Sequence, residues 1–308
     1  MRAVQYDRFG DLEVLEVRDI PVPHPAPGEV LVQVRAAGIN PGEAALRTGA
    51  LAQMFPSTFP SGQGSDLAGV VADLGEGVTE WRISDEVLGW VDSRSSHAEY
   101  VTVPAEQLLA RPATLDWPVA GGLFVAGTTA WAAVPAVAPQ PGEVVAVSGA
   151  AGGVGGLVVQ LAVELGATVL GLAGPDNHAW LKDHGATAID YSDGPAATAD
   201  RIRSAAPAGI DTFVDTFGHG YVDLAIGLGV RPERINTIID FEGAQRHGTH
   251  AAGSSEAANT HDLAEVVTRL ADGRLDLPIA ATYPLDQVRA AYAELERRHT
   301  RGKIVLIP

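Results

Sequence analysis

In the segment 149–155, GAAGGVG, the residues Ala150, Gly152 and Gly155 stand at the spacing A-x-G-x-x-G. Where side chains are missing from such a turn, backbone N–H groups can approach a diphosphate, and a helix starting there turns its positive dipole end toward the charge. The chemistry on offer is anion binding by the backbone of Ala150, Ala151, Gly152, Gly153, Val154 and Gly155. A glycine fingerprint carries this meaning only between a strand and a helix. Residues 144–147 are an apolar strand pattern, and Val154, Leu157, Val158, Leu161, Ala162 and Leu165 then recur at i, i+3, i+4, i+7, i+8 and i+11, one face of a helix. Gly166 suits its C-terminal cap, and residues 168–173 read as a second strand. The unit is that of a dinucleotide site.

The second strand also bears on which dinucleotide. An NAD site carries Asp or Glu at its end, to hold the ribose 2′-hydroxyl. Leu172, Ala173 and Gly174 occupy that place, so no carboxylate there repels a 2′-phosphate and NADP is favoured. Asn177 and His178 just beyond, and Tyr191 after a third strand, offer donors to the phosphate. His178 and Tyr191 also fit ordinary surface positions, and Asp176 weakens or reverses the preference if it points at the ribose. The stretch is long and apolar, but Gln160, Glu164 and its glycines are those of a soluble helix and turn, not of a membrane span.

The elements that must position these residues come from two patterns. Up to about residue 104, short alternating runs with turn signals predict a β-rich domain, with strands at 30–34, 68–73, 86–91 and 98–103. Between them lie Gly38-Ile39-Asn40-Pro41-Gly42 and the Pro-, Ser- and Gly-rich run 55–66, irregular segments of the kind that carry function. From residue 119 a helix interrupted by Gly127 leads through a Pro-rich segment, 135–142, to the fingerprint. Helices near 177–184, 197–205 and 221–228 then alternate with strands at 188–191, 211–215 and 235–240. This predicts a doubly wound parallel sheet whose ligand lies at the carboxyl ends of the strands, where Phe217, Gly218, Asp240 and Phe241 fall. A helix at 261–271, a strand at 277–282, a helix carrying Val288, Ala291, Tyr292 and Leu295 on one face, and a strand at 303–307 close the chain, these last strands rejoining the first domain. The expected domains are residues 1–117, with 273–308 returning to them, and 118–272.

Composition sets further bounds. The 308 residues, 46% hydrophobic and 19% charged, fit two domains of a soluble globular protein. A formal charge of −17 leaves no basic stripe for nucleic acid. Without cysteine there is no disulfide, thiolate zinc site or cysteine nucleophile. The first ten residues, MRAVQYDRFG, pass directly into a strand pattern, from which a cytoplasmic protein is expected. One metal-like spacing, His247-x-x-His250 beside His261, lies in a Gly- and Ala-rich loop without a nearby carboxylate pattern and reads as solvated histidines.

Eight motifs in order, GINPGE (38–43), SDLAGVV (65–71), DEVLGW (85–90), AEYVTVP (98–104), AGTTAW (126–131), GAAGGVG (149–155), AIDY (188–191) and GKIVL (302–306), resemble the zinc-independent quinone oxidoreductase, or zeta-crystallin-like, branch of the medium-chain dehydrogenase/reductase superfamily. The resemblance covers nearly the whole chain. It implies an α/β protein with a GroES-like β-rich domain and a Rossmann domain, and NADPH in the cleft between them. It places Asn40 beside the nicotinamide, Thr129 at the nicotinamide end, the glycine turn on the diphosphate and Tyr191 beside the 2′-phosphate. Gly174, His178, Phe217, Asp240, Phe241 and Lys303 complete the expected cofactor-binding set. It implies a homodimer acting on a small-molecule substrate; the charge and the polar residues of the long apolar stretch argue against nucleic-acid and membrane partners. In zinc-dependent relatives a cysteine stands near the Asn40 position and Gly-His-Glu opens a later strand; here that triplet is Gly64-Ser65-Asp66, and residues 104–118 leave no room for a zinc lobe.

The chain also departs from the family. Glu43 and Ala45 replace an Asp and a Tyr often found after the Asn40 position, and Asp92, Ser93 and Arg94 replace a glycine-rich turn. The expected reaction is hydride transfer from NADPH to a quinone or similar conjugated carbonyl, with Asn40 on the reacting oxygen or the carboxamide and Glu43 as a proton relay. Against that role stands Glu43 as a solvated loop carboxylate. Reduction of an enone, enal or enoyl thioester in secondary metabolism, and a non-redox use of the same fold, are the alternatives.

Overall fold

Alternating apolar residues build the first part of the chain into strands, because β-branched side chains pack well on a pleated surface. In the computed structural model, which describes residues 1–53 and 55–308, these begin with β1 (Arg2–Tyr6), β2 (Glu16–Asp19) and β3 (Glu29–Gly38). Helix α1 (Pro41–Thr48) follows, then β4 (Ser61–Gly62), β5 (Asp66–Leu74), β6 (Glu86–Trp90), β7 (Tyr100–Pro104) and β8 (Leu108–Ala110). Two helices lead out of this part, α2 (Trp117–Gly121) and α3 (Phe124–Val137).

The middle of the chain alternates strands and helices: β9 (Val144–Ser148), α4 (Gly153–Glu164), β10 (Thr168–Leu172), α5 (His178–Asp183), β11 (Ala186–Ile189) and α6 (Pro195–Ala205). It continues with β12 (Thr212–Asp215), α7 (Tyr221–Gly227), β13 (Ile235–Thr237) and α8 (Phe241–His247). The five strands form one parallel sheet in the order β11-β10-β9-β12-β13. The order reverses about β9, so the Rossmann switch point lies at the carboxyl ends of β9 and β12. Leu170, Leu172, Phe213 and Ile235 are fully buried under it, each contributing roughly 1.5–3 kcal/mol by leaving water.

The last part comprises α9 (Thr260–Ala271), β14 (Ile279–Pro284), α10 (Val288–Glu296) and β15 (Lys303–Ile307). Strand β15 pairs antiparallel with β3, Leu306 opposite Ala37 and Val305 opposite Gly38, and parallel with β14. The resulting GroES-like sheet has the order β14-β15-β3-β5-β6-β8, with β7 also on β3. Two compact units result, the first from residues 1–125, 259–271 and 278–308, the second from residues 126–258 and 272–277. The boundary expected between residues 117 and 118 falls inside α2.

The irregular segment expected at residues 38–42 runs instead into α1, because Asn40 is extended and Pro41 stands first in the helix, where its missing N–H costs nothing. The expected break at Gly127 is absent, and α3 runs through Gly127 and Pro135. The chain breaks earlier, at Gly122, and just before it the backbone runs so close to β3 that a Cβ on Gly121 would lie 2.4 Å from the Ala36 carbonyl oxygen. The strand expected at 188–191 is Ala186–Ile189, which leaves Tyr191 in the following turn. The strand expected at 235–240 stops at Thr237, since the Asp240 carboxylate accepts the Gly243 N–H at 2.8 Å and starts α8, a helix with no periodic signature.

Candidate functional site

In the first unit the end of β3 carries Asn40 directly into α1, and three other segments converge on it. Glu43, one helical turn on, receives the Asn40 backbone N–H at 2.8 Å and the Asn40 Nδ2 at 3.3 Å. Its carboxylate also accepts the Ser65 N–H at 3.2 Å and the Tyr292 hydroxyl at 2.6 Å. From β15, Lys303 Nζ donates to Asn40 Oδ1 at 2.5 Å and to the Ile39 carbonyl at 3.1 Å, and lies 3.4 Å from Asp66 Oδ2. Gln63 donates to the Tyr292 hydroxyl at 3.0 Å. All of these side chains are buried, with Asn40 and Glu43 each 4% exposed. Glu43 is therefore a buried helical carboxylate and not the solvated loop carboxylate weighed against its role.

Charges of both signs meet in this cluster. Lys303 lies against Asp66, and Arg47 is buried against the Tyr292 ring at 5.2 Å and bonded to a third carboxylate, Glu296, at 3.0 Å. Buried charges persist only when paired and hydrogen-bonded, and each bond to a charged group is worth about 1.5–3 kcal/mol. Burial raises the pKa of Asp66 above the usual carboxylate range, against the pull of Lys303. Burial, reinforced by the Glu43 charge and hydrogen bond, pushes the Tyr292 phenol well above its ordinary value. Tyr292 is thus a fixed donor to Glu43 at neutral pH.

The donor set does not suit zinc. Lys303 already places a cation against both Asn40 Oδ1 and Asp66 Oδ2, and the chain has no thiolate. Among the described residues no group of three or more His, Cys, Asp or Glu side chains is placed to hold a metal ion. His247 bonds Asp223 at 2.5 Å and His250 bonds the Glu233 carbonyl at 3.2 Å.

In the second unit the glycine turn is tightly folded. Gly149 is left-handed, at φ 59°, and its carbonyl accepts the Gly152 N–H at 2.9 Å. A Cβ on Gly155 would lie 2.1 Å from that same carbonyl oxygen, so α4 packs against the turn only because position 155 is glycine. Gly152 caps α4 with no side chain, leaving first-turn N–H groups for a ligand. A Cβ on Gly174 would meet nothing within 4 Å, so the end of β10 is open.

His178 opens α5 and turns its Nε2 to the Ala173 carbonyl at 3.1 Å. Asp176 is exposed in the short turn before it. Tyr191 lies 6.0 Å from Phe217, ring to ring, so β11 and β12 bring two expected cofactor residues together. Thr129 is buried in α3. Asp240 serves as the cap of α8, and Phe241 is 48% exposed at its start.

Several residues take roles that the sequence did not signal. Asp215 is fully buried at the switch point and accepts from Ser148 Oγ at 2.5 Å, Thr237 Oγ1 at 2.8 Å, and the N–H groups of Phe217 and Gly218 at 3.0 and 2.9 Å. It holds the turn after β12 rigid. Tyr292 lay on an apolar helix face, and only its hydroxyl distinguishes it from a core aromatic. Arg94, left-handed at φ 56°, ties the 55–60 run down by bonding Ser57 Oγ at 3.2 Å and the Pro56 carbonyl at 2.8 Å.

Residues 26–113 match the Alcohol dehydrogenase GroES-like domain family and residues 184–306 the Zinc-binding dehydrogenase family. The quinone oxidoreductase of Rattus norvegicus is 32% identical over 218 residues, 70% of this chain and just under two thirds of that relative's own length, at 66%. The structure of the quinone oxidoreductase from Coxiella burnetii superposes with a TM-score of 0.89 at 30% identity, covering 100% of this chain and 99% of that one. A mycobacterial protein complexed with NADPH superposes with a TM-score of 0.85 at 25% identity, covering 100% of both chains. With its GroES-like sheet, its five-stranded Rossmann sheet and these relatives, the chain belongs to the medium-chain dehydrogenase/reductase superfamily of oxidoreductases, in its quinone oxidoreductase branch.

Proposed function

We propose that this protein is an NADPH-dependent oxidoreductase that reduces a quinone or similar conjugated carbonyl without zinc. The observation that carries the reading is the carboxyl end of β10. There Leu172, Ala173 and Gly174 put no carboxylate beside the glycine turn, a Cβ on Gly174 would meet nothing within 4 Å, and His178 bonds the Ala173 carbonyl at 3.1 Å. The backbone of residues 150–155 and the start of α4 hold the diphosphate, with His178 and Tyr191 at the 2′-phosphate, Thr129 at the nicotinamide end, and Phe217, Asp240 and Phe241 along the strand ends. When bound, NADPH supplies a hydride to the acceptor.

The chain's own residues orient and exclude water. Asn40, clamped between Glu43 and Lys303, presents a fixed amide to the reacting oxygen or the carboxamide. Glu43 receives four hydrogen bonds, so in this reading it orients Asn40 more than it relays a proton. A quinone suits such a site, because its reduced oxygen takes a proton from water. With Lys303 already paired to Asn40 and Asp66, the reading needs no metal. The setting in this reading is cytoplasmic and the assembly a homodimer, as the family resemblance implies. Light scattering tests the oligomeric state.

The deciding assay is loss of absorbance at 340 nm with NADPH and, in parallel, a benzoquinone, a naphthoquinone, an enone and an alkenal. Turnover with quinones supports the reading. Turnover confined to the enone or alkenal replaces it with the enone-reductase alternative. NADPH binding without turnover on any acceptor points to non-redox use of the fold.

A further inference from the structure

Lys303 stands in a motif expected to touch the cofactor, yet its ammonium group is occupied within the first unit. Its three hydrogens meet three acceptors, Asn40 Oδ1 at 2.5 Å, the Ile39 carbonyl at 3.1 Å and Asp66 Oδ2 at 3.4 Å, and its side chain is 6% exposed. An ammonium only donates, so the Asn40 atom facing it has to be the amide oxygen. On the opposite side the Glu43 carboxylate only accepts, at 3.3 Å from Asn40 Nδ2, and requires the amide nitrogen. A donor-only cation and an acceptor-only anion thus select the same one of the two amide orientations, and the flipped amide would oppose both.

We propose that Lys303 is a positioning residue that fixes which edge of the Asn40 amide carries its donors, and is not a cofactor contact. This rests on the reading of Asn40 as a group beside the reacting atoms. Both contacts are to charged groups, but the Glu43 contact is long at 3.3 Å and the Lys303 contact short at 2.5 Å, so Lys303 dominates the choice.

The test is Lys303→Met, alone and in an Asn40→Ala background, with steady-state kinetics and an NADPH titration by nicotinamide fluorescence. The single variant is expected to lower kcat at least tenfold while the NADPH Kd changes less than threefold. In the Asn40→Ala background, removing Lys303 should cost less than a further twofold, because its effect passes through the amide. Lys303→Met leaves Asp66 buried without its cation, so Lys303→Met/Asp66→Asn, which removes both charges, is measured alongside and should show the same split. A tenfold weaker NADPH Kd with kcat retained overturns the proposal and makes Lys303 a cofactor contact. Losses that multiply independently of Asn40 overturn it as well. A wild-type protein inactive with every acceptor overturns the underlying reading and this proposal with it, whereas an active wild type with either of the preceding results overturns the proposal alone.

Discussion

Lys303 Nζ lies 2.5 Å from Asn40 Oδ1 although 263 residues separate them in sequence. The side chain that closes the Asn40 site therefore comes from the far end of the fold, on a strand paired to the one that leads into Asn40. Replacing Asn40 with Asp keeps an acceptor for Lys303 but sets a second carboxylate against Glu43. We expect a loss of about 1–3 kcal/mol at pH 7 in urea unfolding, as a buried donor contact becomes a like-charge contact. Adding Glu43→Gln should recover part of it, and a fully stable Asn40→Asp protein would contradict the clamp.

Tyr292→Phe keeps the ring beside Arg47 and removes the donor to Glu43. It should destabilise by about 1.5–3 kcal/mol at pH 7. The folded phenol pKa is raised, so its contribution is complete below pH 10 and is lost as pH rises beyond the unfolded value. Above pH 10 the difference between wild type and Tyr292→Phe should shrink by about 1.4 kcal/mol per pH unit. Chemical denaturation at pH 9, 10 and 11 reads this directly, and a constant difference would remove Tyr292 from the titrating groups.

Gly155→Ala would drive a methyl group into the Gly149 carbonyl, which a Cβ there would approach to 2.1 Å. Either α4 moves or the turn opens. NADPH affinity should fall at least about tenfold, or 1.4 kcal/mol, in a fluorescence titration. Gly227→Ala, in α7 at a position with nothing within 4 Å and outside the expected cofactor set, serves as the control and should fold and bind as wild type.

NADPH is expected to bind at least about tenfold tighter than NADH. Asp176 is exposed next to His178, so Asp176→Ala removes a negative charge near the 2′-phosphate and should widen the preference, more at low salt than at high. Isothermal titration with both cofactors at two ionic strengths checks this. Equal affinities for NADPH and NADH in the wild type would sink the 2′-phosphate assignment.

Asp215→Asn turns an acceptor of four hydrogen bonds into a group whose amide hydrogens oppose some of its donors. A loss of about 2–4 kcal/mol is expected, since each buried polar group left unsatisfied costs roughly 1–3 kcal/mol. Thermal unfolding of the variant measures it, and an unchanged midpoint would show that the turn after β12 is held some other way.

The Rossmann half was legible because its signals are local. The spacing of Ala150, Gly152 and Gly155, the apolar face from Val154 to Leu165 and the bare end of β10 all lie within thirty or so residues of one another, and periodicity reports on such distances. The Asn40 site was legible only in part. Asn40, Glu43 and Lys303 could each be named from motifs, but their mutual contacts depend on β15 lying beside β3, and no periodicity encodes a pairing across that span. Tyr292 was hidden for a different reason. On an amphipathic helix it has the pattern of a core residue, and only the tertiary position of Glu43 gives its hydroxyl a task. Helix α8 was missed because a single cap, Asp240, starts it where the strand propensity of Ile238 and Ile239 argued for continuation.

The pairing of β15 with β3 sets an order of events during synthesis. A ribosome adding about 5–20 residues per second delivers Asn40 well before Tyr292 and Lys303, so for some tens of seconds the nascent β-rich part carries Asn40 and Glu43 without the phenol and ammonium that hold them. All five strands of the parallel sheet and the glycine turn precede β15 in the chain, whereas the clamp on Asn40 waits for it. The glycine turn is thus fully synthesised before the last donor to Asn40 is added to the chain.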